Sequence, residues 1–181
     1  MLRLLLLRHA KAERARPGER DHERRLAERG RNDAPTIGAY LSKHRYLPDQ
    51  VLVSTSARTR ETWSLAAAAM PGKPGKPGKP QVDFDERIYE STPKALLTVL
   101  RETGPKVRTL MMIGHNPSMQ ELAVQLVATG DIETRERLQE AFPTSGLAVI
   151  EFALENWDRV HPQSGRLKHF ITPRWLAEPT A

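Results

Sequence analysis

Three short runs of the chain, residues 4–7, 51–53 and 110–113, are apolar at every position. Each stops at a polar cluster: Arg8-His9, Ser54-Thr55-Ser56 and Gly114-His115-Asn116-Pro117. A strand with water on one face alternates apolar and polar side chains, so unbroken runs belong to strands covered on both faces. Segments of helical period lie between them, and that alternation is the pattern of an α/β chain. The pattern predicts strands over 2–7, 51–54, 107–113, 147–153 and 167–171, and helices over 26–43, 58–70, 93–103 and 117–129. Pro35 is expected to kink or break the first helix. Thr92-Pro93 and Asn116-Pro117 each set a capping-type residue before a proline at the first helical position. The expected architecture is three-layered, α/β/α, with a mostly parallel central sheet and helices on both faces.

At 181 residues and 39% hydrophobic content, the chain fits a single domain over 1–181. Folding at this length buries roughly 70% of the unfolded surface, so the core needs neither a disulfide nor a structural metal. Cysteine is absent, which excludes thiolate zinc sites, iron–sulfur clusters and a cysteine nucleophile. No apolar run approaches the length of a membrane span. The apolar opening runs into Arg8-His9 without a small-residue cleavage site, a poor signal peptide. A cytoplasmic protein with no membrane partner is expected. Residues 71–80 repeat Pro-Gly-Lys with a period of three. Proline that frequent removes the donors a helix or strand needs, so a surface loop is expected there.

The formal charge of +6 is uneven: residues 1–60 hold 14 Lys+Arg against 7 Asp+Glu, and residues 81–181 are net acidic. A nucleic-acid site would set stacking aromatics within a basic stripe. Here aromatics are 6% of the chain and the N-terminal arginines are interleaved with acids. No nucleic-acid partner is expected.

The polar clusters are more informative, because in an open α/β sheet ligands bind outside the carboxyl ends of the strands. Taken singly, each cluster has a plain explanation: an arginine marks where a strand meets water, and Gly114 to Pro117 makes a turn and a helix cap. Sheet packing does not, however, require His or Arg at three separate strand ends. If the strands are parallel, Arg8, His9, Arg58 and His115 converge on one mouth. A neutral imidazole at His9 is able to attack phosphorus and split one displacement into two easier ones. Guanidinium groups bind phosphoryl oxygens bidentately, a task for Arg8 and Arg58, with His115 as a further donor. Such a pocket calls for no metal and no cofactor. One ring nitrogen of His9 must be free, so a backbone carbonyl is expected to hold the other's proton.

Residues 4–9 ending in Arg8-His9, then Ser54-x-x-x-Arg58-x-x-x-Thr62, then Gly114-His115-Asn116-Pro117, resemble the histidine phosphatase superfamily, whose fold is called phosphoglycerate mutase-like. Asp21-x-x-Arg24-x-Leu26-x-x-Arg29-Gly30, Ile88-Tyr89-Glu90 before Thr92-Pro93, and Pro143-Thr144-Ser145-Gly146 look like its SixA-type phosphohistidine phosphatase branch. The resemblance implies His9 as nucleophile and Arg8, Arg58 and His115 as phosphoryl-binding groups. It implies a substrate that is either a phosphohistidine-bearing protein or a small phosphate ester.

The chain departs from the family pattern in places. Thr55 stands where the family commonly has proline, and Ala27 where it often has threonine, so one helix-start hydrogen bond worth about 1 kcal/mol is expected to be missing. Larger members protonate the leaving oxygen with a glutamate; Asp85, Glu86 and Glu90 are the candidates in the corresponding region. A phosphohistidine substrate lessens that need, because its leaving imidazole has a reference pKa near 6.5. Only 56 residues separate Arg58 from His115, leaving little material for a helical lid. An open mouth disfavours a mutase, which must keep water from its intermediate. Two other readings remain at this point: a small-molecule phosphomonoesterase and a catalytically silent phosphate-binding module.

Overall fold

The first strand, β1 (Leu2–Arg8), divides its leucines between two cores, because successive strand residues point to opposite faces. Leu2, Leu4 and Leu6 join one core and Leu5 and Leu7 the other. The structure, a computed structural model, describes residues 1–70 and 79–178. After β1 come α1 (Glu28–Lys43), β2 (Gln50–Ser54), α2 (Ala57–Ala68), β3 (Gln81–Asp85), α3 (Pro93–Arg101), β4 (Thr109–Gly114) and α4 (Ser118–Leu126). The chain then runs through β5 (Val127–Gly130), α5 (Ile132–Glu140), β6 (Leu147–Phe152), β7 (Gly165–Ile171) and α6 (Pro173–Ala177).

The strands form one sheet in the order β3-β2-β4-β1-β6-β7-β5. Four of its neighbouring pairs are parallel, and β6 alone runs against its neighbours β1 and β7. On one face, α3, α4 and α5 contribute Leu96, Leu100, Met119, Leu122 and Leu138 to a core with Leu110, Met112 and Ile150. On the other, Ile37, Tyr40 and Leu41 of α1 meet Val51, Val53, Met111, Ile113 and Val149, with Trp63 of α2 and Leu176 of α6 packed against them. The architecture is therefore the expected three-layer one with a mostly parallel sheet. Among the described residues no helix is long and apolar enough to cross a membrane.

Several local expectations change. Pro35 lies inside α1 without breaking it. The proline is only partly buried, while Ala34, Ile37, Gly38, Tyr40 and Leu41 are buried and carry the helix through the lost hydrogen bond. Gly38 is where α1 meets α2: a Cβ there would stand 2.1 Å from the Ala66 carbonyl oxygen. The helix expected over 117–129 ends at Leu126, because Val127 to Gly130 pair with β7 instead. β3, β5, α5 and α6 are additional elements. Most of the expected Pro-Gly-Lys loop, residues 71–78, lies outside the described residues.

Candidate active site

The adjacent strands β2, β4 and β1 are parallel and in register, with Arg8 opposite Gly114 and Val53 opposite Ile113. Their carboxyl ends therefore open at one level. His9 follows β1 and is held there by its own N–H, which donates to the Gly114 carbonyl at 3.0 Å. His9 Nδ1 lies 2.7 Å from the Ala10 carbonyl oxygen. A carbonyl only accepts, so Nδ1 carries the proton and Nε2 keeps its lone pair. The next N–H, of Ala10, donates to Thr62 Oγ1 at 3.0 Å, and the Thr62 hydroxyl donates to the Arg58 carbonyl at 2.7 Å. The spacing Arg58-x-x-x-Thr62 thus puts an arginine and the group that anchors the histidine loop on one face of α2.

Arg58 sits in the first turn of α2, whose start is capped by the Ser56 side chain. His115 follows β4, and its ring centroid is 5.3 Å from that of His9. Its Nε2 is 2.8 Å from the Ser54 hydroxyl at the end of β2. Arg8 donates through Nη1 to the Phe142 carbonyl, which also accepts from the Asn116 side chain. The turn at Pro143 to Gly146 closes the floor, with the Ser145 N–H donating to the Arg8 and His9 carbonyls. Arg58, His9 and His115 are all less than a tenth exposed.

The electrostatics follow from this crowding. Burial, reinforced by Arg58, Arg8 and Arg24, lowers the His9 pKa to about 4, against the opposing hydrogen bond to Ala10. Burial, then His9 and Arg58, lowers that of His115 to about 3. Both rings are neutral at pH 7. Arg8 Nε, Arg58 Nε and His115 Nδ1 are buried and have no hydrogen-bond partner among the described residues.

The structure also places residues that the sequence did not mark as site residues. Asp21 binds Arg58 twice: its carbonyl accepts from Nη1 at 2.9 Å and its carboxylate from Nη2 at 3.1 Å. The same carboxylate accepts from the Tyr89 hydroxyl at 2.6 Å and from Arg24 Nε at 2.9 Å. The Tyr89 bond, with Arg58 and Arg24 beside it, holds the Asp21 pKa down to about 2. The Tyr89 ring stands edge-on to His115 at 5.5 Å and to His22 at 4.8 Å. His22 Nε2 lies 2.8 Å from the hydroxyl of Thr55, the residue that replaces the family's proline. Beside this rim runs a groove of about 520 Å³, lined by His22, Thr55, Arg14, Arg16, Arg25 and Arg60 among others.

Asp85 ends β3 in register with Ser54, and Glu90 follows Tyr89. Asp85 is paired with Arg87 at 2.7 Å, and Glu86 and Glu90 are exposed. Among the described residues none of the three bonds to Arg8, His9, Arg58 or His115, and the carboxylate that does so is Asp21. Nor do the described residues hold any group of three His, Asp or Glu side chains suited to a shared metal ion. Ala27 begins α1 with no side-chain cap, as its identity predicted.

The chain is similar to known proteins. A family model described as the histidine phosphatase superfamily (branch 1) matches residues 4–91. An uncharacterized protein of Mycobacterium tuberculosis is 34% identical over 171 residues, covering 93% of this chain and all of the relative. The crystal structure of a protein assigned as the phosphohistidine phosphatase SixA of Agrobacterium tumefaciens superposes with a TM-score of 0.76. It is 32% identical and covers 95% of this chain and 99% of its own. A mycobacterial glucosyl-3-phosphoglycerate phosphatase, at 13% identity, a TM-score of 0.61 and coverage of 93% and 98%, shares the fold. With Arg8-His9 and Arg58 inside the matched segment and the SixA likeness running nearly end to end, the chain belongs to the histidine phosphatase superfamily, in its SixA-type branch, and is a phosphatase.

Proposed function

We propose that this phosphatase hydrolyses phosphohistidine carried on a protein, with His9 as nucleophile and Arg8, Arg58 and His115 as the groups that bind the phosphoryl oxygens. The observation that carries the reading is the set of three buried nitrogens, the Arg8 and Arg58 Nε–H donors and His115 Nδ1, without partners among the described residues, near a ring whose Nε2 is free. An unpaired buried donor costs about 1–3 kcal/mol, and a phosphoryl group supplies three acceptor oxygens to such donors. The two guanidinium charges suit the charge that develops on those oxygens.

The chemistry balances without a proton relay. The His9 Nε2 lone pair forms a bond to phosphorus as the substrate's P–N bond breaks, and the departing imidazole takes that electron pair. If its far nitrogen carries a proton, it leaves neutral. Water then adds to phosphorus, the bond to His9 breaks, the pair returns to Nε2, and dihydrogen phosphate leaves. Nδ1–H stays on the Ala10 carbonyl throughout.

A protein-borne substrate is favoured by the shape of the mouth. Between Arg58 and His115 the helix α3 buries Leu96, Leu97, Val99 and Leu100 in the core, so it serves the fold and is no lid. The groove, lined by four arginines and three glutamates, gives the flank of a protein substrate room beside the site. A small phosphate ester is the alternative for the same four side chains.

The test is turnover of a phosphohistidine-bearing protein and of para-nitrophenyl phosphate, with chelator present, by wild type and His9→Ala. Dephosphorylation of the protein by wild type alone is expected. Activity confined to the ester would favour the alternative.

A further inference from the structure

The displacement has an imidazole on each side of phosphorus. On the nucleophile's side the far ring N–H is held by the Ala10 carbonyl at 2.7 Å. On the leaving side a matching acceptor is needed, because an imidazole whose far nitrogen has lost its proton departs as an anion, a far poorer leaving group. The floor of the pocket offers no strong one: Arg8 and Arg58 are donors only, and His115 is a buried neutral ring whose basicity is lowered by burial and by the two cations beside it.

The rim can. Asp21 is the carboxylate bonded to Arg58; its side chain is 50% exposed, and while Oδ2 accepts from Arg58 and Tyr89, Oδ1 accepts from Arg24 alone and keeps a lone pair for a further donor. Its charge bears on His115, favouring the protonated form of that ring against burial. The carboxylate is fixed from three sides by Arg58, Arg24 and the Tyr89 hydroxyl. Tyr89 and His22, at 4.8 Å in an edge-on arrangement, set two aromatic rings beside it, a surface suited to a third flat ring.

We infer that Asp21 recognises the leaving group. It accepts a hydrogen bond from the far N–H of the substrate's phosphoimidazolium ring, with Tyr89 and His22 flanking that ring. This rests on the phosphohistidine reading above and names its specificity-determining residue. The step keeps its balance: the P–N bond breaks toward the leaving nitrogen, the far nitrogen keeps its proton on the Asp21 carboxylate, and neutral imidazole departs. Asp21 donates no proton, in keeping with its low pKa. It selects the protonated substrate and holds it. A phenolate or alkoxide leaving group gains nothing from this carboxylate and is repelled by it.

The experiment compares wild type, Asp21→Asn and Asp21→Glu on N-phosphoimidazole and on para-nitrophenyl phosphate across pH, with thermal unfolding recorded for each. Asp21→Asn keeps the side chain's size and removes its charge. The expected result is that kcat/KM on phosphoimidazole falls at least about tenfold more than on the ester, about 1.4 kcal/mol of discrimination. In addition, the alkaline limb of kcat on phosphoimidazole, where the bound substrate loses its far proton, moves to lower pH in Asp21→Asn. Asp21→Glu keeps that limb near its wild-type position. An equal loss on both substrates with an unmoved limb would reduce Asp21 to a support for Arg58, overturning the inference while leaving the phosphohistidine reading intact. Wild type that hydrolyses the ester but neither phosphoimidazole nor a phosphohistidine protein would overturn both.

Discussion

The four residues on the floor of the pocket and the three at its rim differ in what holds them. Arg8, His9, Arg58 and His115 stand at the carboxyl ends of β1 and β4 and in the first turn of α2, pinned by backbone carbonyls, by Ser54 and by Thr62. Asp21 and His22 lie in a single 3-10 turn and Tyr89 just past another, and the three are tied to one another and to Arg58 by side-chain bonds and ring contacts. On the proposed reading the floor receives the phosphoryl group, the part any phosphorylated substrate shares, and the rim meets whatever that group is attached to. A site divided in this way is able to change leaving group without rebuilding its floor.

The division is open to challenge, most severely at Arg58. Arg58→Lys keeps the charge but loses the bidentate fork, and kcat/KM is expected to fall about a hundredfold on phosphohistidine and ester alike. A loss confined to one substrate would place Arg58 with the rim. Next comes pH. His9 and His115 are neutral in the fold down to about 4 and about 3, whereas unfolded histidine titrates near 6.5. Between those values the unfolded chain binds more protons, so stability falls as pH drops from 6.5 toward 4. Ring signals followed by NMR should show both rings untitrated at pH 6, and a ring midpoint near 6.5 for either would break the picture of a dry floor.

The loop that carries His9 is met by α1 at Gly30, where a Cβ would stand 2.2 Å from the Lys11 carbonyl oxygen, two residues past His9. Gly30→Ala forces backbone apart and is expected to cost about 2 kcal/mol, read from urea unfolding. A neutral result would mean the segment after His9 is freer than its contacts suggest. The smallest effect is at Ala27. Ala27→Thr supplies the missing cap and should stabilise by about 1 kcal/mol, a rise of a few degrees in Tm, with turnover unaltered.

The same contrast explains what could be read from the sequence. The floor residues announce themselves because each follows a continuously apolar run or opens a helix, and chain order alone places them. The strands β1, β2 and β4 were legible for that reason. Asp21 and Tyr89 are 68 residues apart and meet only through the fold. The Asp21-x-x-Arg24 and Ile88-Tyr89 segments were visible as a resemblance, but nothing local says that they touch. Asp85, Glu86 and Glu90 drew attention by position along the chain, whereas the carboxylate bonded to Arg58 is that of Asp21. The overlooked elements share a weak pattern. β3 is a polar edge strand without buried residues, α5 buries Leu138 alone, and β5 continues an apolar helical period until pairing with β7 takes it over.

The central claim is that His9 becomes phosphorylated during turnover. The direct measurement is to mix the enzyme with excess phosphohistidine-bearing protein, quench at alkaline pH within the first turnovers, and map phosphate on the enzyme by mass spectrometry. Phosphate is expected on the peptide carrying His9, located on that ring, and none on His9→Ala, which no longer turns over. Phosphate on another residue, or continued turnover by His9→Ala, would contradict it.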